Sequence, residues 1–185
     1  MPNGLQVLLD AGETPINIIN AGASLTDFIG LNHAGGIIFY MDPSADGTGL
    51  VSASSDQSTL AEWGCSGDLL TGADGTMIGT GNQNTMDIVD GCPTSGTAAD
   101  LCSDLSLNGF TDWFLPSQDE LNEMYTKIGQ GAMAPNTNIG NFASVLYWSS
   151  SEIGDEIAWA HSFNSGNQLN VFKFNSNHVR AIRAF

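Results

Sequence analysis

A chain of 185 residues is most simply one domain, long enough to bury a substantial core. Four basic side chains against twenty acidic ones give a formal charge of −16. That is the wrong sign for phosphate backbones or anionic membrane faces, so the composition argues against nucleic acid and membrane partners.

Residues 1–32 open with neither a basic stretch nor an apolar run long enough to span a bilayer. A cytoplasmic protein, a trimmed chain and a virion or cell-surface component all fit that opening. No motif gives this N-terminal segment a role, and we expect it to pack on the domain that follows.

Gly35 to Met41 is a continuous apolar run, and Leu50 to Ser54 follows a turn of Asp, Pro, Ser, Ala and Gly, which predicts two strands joined by a loop. Residues 64–97 are rich in Gly, Thr, Asp and Asn, which predicts a long irregular loop, either packed as an Ω-type loop or mobile. Asp42, Asp46 and Asp74 offer oxygen ligands from glycine-rich loops, enough to conceive a structural Ca²⁺, but their spacing does not match an EF-hand. The expectation is therefore no cofactor.

The cysteines are Cys65, Cys92 and Cys102, and an odd number leaves at least one thiol. A Cys65–Cys92 bridge and free thiols both remain open, and no Cys/His spacing suggests zinc. Thr97 and Asp100 form a capping-box pattern ahead of Ala98, Leu101, Cys102 and Leu105, which predicts a helix with Cys102 on its apolar face. A second helix is predicted from an N-cap at Ser117, with Glu120 three residues on, a stripe of Leu121, Met124, Tyr125 and Ile128, and Gly129 at its end.

Strands return from residue 147. Ile157, Trp159, His161 and Phe163 share one face, Ala158, Ala160 and Ser162 the other, and turns near Gly166 and Asn175 predict an antiparallel meander. Between Gln168 and Phe174 neither face is cleanly polar, so Phe172 and Phe174 are either core residues or exposed contacts. Lys173, Arg180 and Arg183 hold three of the four basic positions; they either neutralise acidic neighbours within the fold or, for Lys173, touch a ligand.

Catalysis finds little support. His33, His161 and His178 belong to no nucleophile motif, and Asp119-Glu120 is explained by the helix N-terminus. Asp155-Glu156 reads as loop display. We expect no enzymatic activity.

Tyr147-Trp148-Ser149-Ser150-Ser151, Ala158-Trp159, Phe163, Gly166 and the closing Val179-Arg180-Ala181-Ile182-Arg183 form an ordered series. Upstream it is joined by Gly35 to Tyr40, Gly49-Leu50-Val51, Asn84-Thr85, Asp112 to Ser117 and Glu120-Leu121. Together, over roughly residues 33–185, these resemble a bacterial and archaeal domain family of C-type lectin fold. That family includes the collagen-like adhesin C-terminal domain and the variable proteins diversified by retroelements, some carried by archaeal viruses. The resemblance implies an α+β, C-type lectin-like fold, with two helices packed on antiparallel sheet and long loops. It also implies a variable region over about 147–185 that binds a surface protein or glycan.

The implied contact positions are Asp155, Glu156, Ile157, Ala160, His161, Asn164, Leu169, Asn170, Val171, Phe172, Phe174, Asn175 and His178. The implied scaffold is Trp148, Trp159, Gly166, Arg180 and Arg183. The oxidase branch of the fold needs late cysteines, and this chain has none after Cys102. The motifs of calcium-dependent sugar binding are missing too. Diversified asparagine codons become NNY, which cannot encode Trp, Gln, Lys, Glu or Met. Between Ile157 and His178 only Trp159, Gln168 and Lys173 fall outside that set. The alternative is an adhesion or structural module of the same family with an invariant face.

Overall fold

The computed structural model describes residues 2–185, with side chains from Gly4 onward. Two helices come first, α1 (Pro2–Asp10) and α2 (Pro15–Asn20), then a 3-10 helix over Leu25–Phe28. Thr14 caps α2 by accepting from the Asn17 amide at 3.4 Å, and Pro15 supplies a preset φ in the first turn. The segment is part of the core: Leu9, Ile18, Phe28 and Leu31 are buried with the central tryptophans. Gln6 locks it to the first strand, donating to the Asn32 carbonyl at 2.9 Å and accepting from the Asn32 amide at 2.8 Å.

The described residues form two sheets. The first contains β1 (Asn32–His33), β2 (Gly36–Met41), β3 (Gly49–Ser52) and the last strand, β9 (Ile182–Ala184), in the order β1-β2-β3-β9. The second contains β4 (Ser58–Glu62), β5 (Leu146–Glu152), β6 (Ile157–Ser162), β7 (Gln168–Phe172) and β8 (Ser176–Val179), in the order β4-β8-β5-β6-β7. The predicted meander holds for β5, β6 and β7 and then fails. The chain crosses to the far side of β5, where β8 runs parallel to β5 and antiparallel to β4. At the crossing the Trp63 amide donates to the Lys173 carbonyl at 3.0 Å.

Both predicted helices form, as α4 (Ala98–Ser103) and α5 (Gln118–Ile128), each with its reciprocal capping box. The irregular loop expected over 64–97 is corrected by α3 (Gly81–Gly91). Of its apolar side chains only Ile88 is fully buried, and the helix is seated by polar contacts instead. Asn84 donates to the Gly75 carbonyl at 2.6 Å and to Ser150 Oγ at 3.2 Å, while Thr85 Oγ1 accepts from the Leu115 amide at 3.0 Å. Cys65 and Cys92 are disulfide-bonded, tying the chain after β4 to the end of α3, and Cys102 is a buried thiol.

The main core gathers Trp63, Trp113 and Trp148 with side chains from both sheets, α3 and α4. A second cluster, with Phe39, Leu121, Met124, Tyr147 and Phe163, lies under α5. The result is a mixed α+β fold in which α5 covers only part of the β6-β7 surface.

Candidate binding face

Strands β6 and β7 pair antiparallel with Ile157 opposite Phe172, Trp159 opposite Asn170 and His161 opposite Gln168. Ala158, Ala160 and Val171 belong to the core, so the alternate positions turn outward. At the far end α5 closes the outward surface: Tyr125 stands 4.9 Å from the His161 ring, and Gln118 donates to Gln168 at 3.0 Å. Gly166 serves that closure, because a Cβ there would come within 2.9 Å of the Tyr125 hydroxyl and its φ is +77°. At the near end the aromatic side chains stand exposed. Phe172 is 45% exposed and Phe174 56%, and their rings stack with centroids 5.3 Å apart and planes 16° from parallel.

Between these two aromatics the side chain turns inward. Lys173 is fully buried, paired with the Glu152 carboxylate, donating to the Asp68 carbonyl at 2.8 Å and set 4.7 Å from the centre of the Trp63 ring. Glu152 also accepts from the Leu70 amide at 2.9 Å. Both charges are therefore satisfied without water. Of the two readings of Lys173, the structure selects neutralisation within the fold.

The scaffold below is held by buried polar atoms. Trp148 Nε1 donates to the Ala61 carbonyl at 2.9 Å, and Trp63 Nε1 to the Ser149 carbonyl at 2.8 Å, bracing β4 against β5. The three serines that follow Trp148 are all buried: Ser149 donates to the Trp159 carbonyl at 2.8 Å and Ser151 to the Gly75 carbonyl at 2.7 Å. Asp56 accepts from Arg180 Nε at 2.7 Å and from the Tyr147 hydroxyl at 3.0 Å, and lies 2.8 Å from His178 Nδ1. Arg180 also donates to the Ala53 and Gly140 carbonyls, both at 2.9 Å. Arg183 pairs with Asp112 and lies 3.8 Å over the Phe110 ring.

Eight of the contact positions inferred from sequence are exposed: Asp155, Glu156, Asn164, Leu169, Asn170, Phe172, Phe174 and Asn175. Ile157 and His178 are half-buried, and His178 is committed to Asp56. Three are corrected. Ala160 and Val171 face the core because their strand parity points them there, and His161 is only 1% exposed because Tyr125 covers it. Both His161 nitrogens lack a protein hydrogen-bond partner, and burial lowers its pKa to about 4. Phe172, Phe174, His161 and His178 therefore do not form one patch; only the phenylalanines meet. Trp159, expected among the buried scaffold, is half-exposed and joins it through its carbonyl.

Sequence reasoning missed that Leu60, Leu69 and Ile153 are also exposed. Leu60 could have been found from its place beside inward Ala61, had β4 been recognised. In the candidate calcium loops, Asp42 accepts from the Ser44 amide at 2.8 Å and Asp46 from the Thr48 amide and hydroxyl at 3.0 and 2.6 Å. Among the described residues no group of three or more His, Cys, Asp or Glu side chains is placed to hold a metal.

This geometry, a polar-braced sheet with an exposed aromatic end, belongs to a mixed α+β domain. Residues 52–183 match the Lcl C-terminal domain, and the chain belongs to that family. No curated protein matches it. Among solved structures, a fimbrial protein from Bacteroides ovatus is similar over 91% of this chain, at 15% identity and a TM-score of 0.46. The chain spans 41% of that protein's length.

Proposed function

We propose that this protein is an adhesin-like binding module of C-type lectin-like fold, carried on a virion or cell surface, that holds a surface protein or glycan on its β6-β7 face. One observation carries the reading: two aromatic rings lie stacked in solvent on either side of a lysine sealed in an ion pair. Exposed aromatics on a rigid support mark recognition surfaces. The histidines favour binding over catalysis. His161 is sealed, His178 is held by Asp56, and His33 lies against the Phe185 ring at 4.9 Å.

The finer reading is that a retroelement diversifies this face. It is supported by the exposed residues Asp155, Asn164, Leu169, Asn170, Phe172, Phe174 and Asn175, all reachable from AAY codons by changing adenines. Glu156 is not reachable, and on this reading it is a constant residue. The family's alternative, an adhesion module with an invariant face, makes the opposite genomic prediction. A reverse transcriptase beside a near-copy of the 3′ coding end, differing at adenines, supports diversification; a locus without that cassette supports the invariant module.

The binding reading is tested by selecting peptides from a 12-residue display library and by probing a glycan array. Wild type is compared with a Phe172→Ser, Phe174→Ser variant. Ligands that bind wild type and lose the variant are expected. Ligands that bind both equally would place the binding site elsewhere.

A further inference from the structure

We infer that the β6-β7 face takes a cationic protein segment, one presenting arginine or lysine side chains, in preference to an acidic glycan; this rests on the binding reading above. The argument begins with where the positive charge of the chain has gone. Lys173 and Arg180 are buried in ion pairs, and Arg183 is paired with Asp112 and mostly covered. Lys127 alone stands well out in water among the described residues, on α5, within 3.9 Å of Glu123.

Four carboxylates, by contrast, stand in water on chain segments that meet at the end of the fold carrying the rings. The Lys173 amide donates to the Glu156 carbonyl at 2.9 Å, so the Asp155-Glu156 loop runs beside Phe172 and Phe174. The Gly67 amide donates to the Asp155 carbonyl at 2.9 Å, which brings Asp68 to the same end, and Glu62 lies opposite Ser176 just past the turn. The side chains of Glu62, Asp68, Asp155 and Glu156 are all exposed, and none is paired with a cation of the chain.

Two exposed ring faces at an end of the fold that also carries four exposed, unpaired carboxylates suit a guanidinium or ammonium group on both counts. The rings attract it through their quadrupole, the carboxylates pair with it, and an arginine plane stacks on an aromatic face. The same surface repels sulfate and carboxylate groups, since like charges across an interface cost several kcal/mol.

The probe is a fluorescein-labelled 12-residue peptide of alternating arginine and glycine, with a glutamate-for-arginine version and heparin as comparisons, read by fluorescence anisotropy at 50 and 150 mM salt. The arginine peptide should bind, and the glutamate peptide and heparin should not. Phe172→Ser with Phe174→Ser leaves the net charge unchanged and should weaken binding about tenfold, as should Asp155→Asn with Glu156→Gln. Asn170→Lys, at an exposed position, should weaken it similarly. Asp10→Asn with Glu13→Gln removes the same charge from the N-terminal segment and should leave binding within about twofold.

All these positions are exposed, and unchanged thermal unfolding would confirm that the variants fold. Equal binding of the arginine peptide to wild type and the phenylalanine variant would overturn the inference, because attraction would then be nonspecific. So would a ligand from the display or array experiment that is acidic or neutral yet lost on the same variant; that result would retain the binding face and reject a cationic partner.

Discussion

Lys173 and Glu152 form an ion pair with almost no access to solvent, although the side chains flanking Lys173, just past the end of β7, both stand in water. Removing one member leaves the other charge buried and unmatched. Lys173→Met should destabilise the protein by about 3–5 kcal/mol in urea unfolding. Adding Glu152→Gln should restore a large part, since the amide oxygen can still accept from Leu70. A single variant as stable as wild type would show the pair to be solvated.

His161 gives a pH dependence of known sign. In the unfolded chain its imidazole takes a proton near pH 6.5, whereas burial delays protonation of the folded form to about pH 4. Protons therefore favour unfolding in that interval. The stability present above pH 6.5 falls by about 3 kcal/mol as the pH drops through the window. Carboxylates add their own acid sensitivity, so the test is a difference: His161→Leu should flatten the curve between pH 4 and 6.5 relative to wild type in chemical denaturation.

The outward positions should tolerate exchange where the inward ones do not. Asn164, Asn170 and Asn175 changed to Ser or Asp should each shift stability by no more than about 0.5 kcal/mol. Val171→Ser, which puts a hydroxyl in the core beside Ala158, should cost about 2 kcal/mol. Thermal unfolding of the set would show the contrast, and equal costs at both kinds of position would remove the distinction between display and support.

The Cys65–Cys92 bridge closes a loop with a sequence separation of 27. Replacing both cysteines with serine should cost about 3–4 kcal/mol, chiefly by freeing the unfolded chain. A reductant should lower the unfolding temperature of wild type and leave that of the double variant unchanged. Cys102 should stay unlabelled by thiol reagents until unfolding, because burial raises its pKa.

The two capped helices were legible because each carries its start signal and apolar stripe in the sequence, as Ser117 and Glu120 do for α5. Helix α3 was hidden because Asn84 and Thr85, polar residues that normally argue for loop, are what seat it. The Trp148 serine run was legible only as a family signature; its physical basis, buried hydroxyls crossing between elements, needs tertiary contacts that no local pattern encodes. Phe172 and Phe174 could not be placed from alternation, since Val171 between Phe172 and Asn170 is apolar as well. Lys173 decided the matter: a charged side chain went inward because Glu152, 21 residues away, was there to meet it. His161 was misplaced because its cover comes from Tyr125, on a helix far away in the chain.

The sequestration of three cations has a consequence for crowding. Copies arrayed side by side on a particle would face one another as like-charged bodies, with Lys127 the main opposing charge. At 0.1 M ionic strength that repulsion reaches only about 10 Å, so neighbours could stand close without touching, and dilution of the medium would push them further apart.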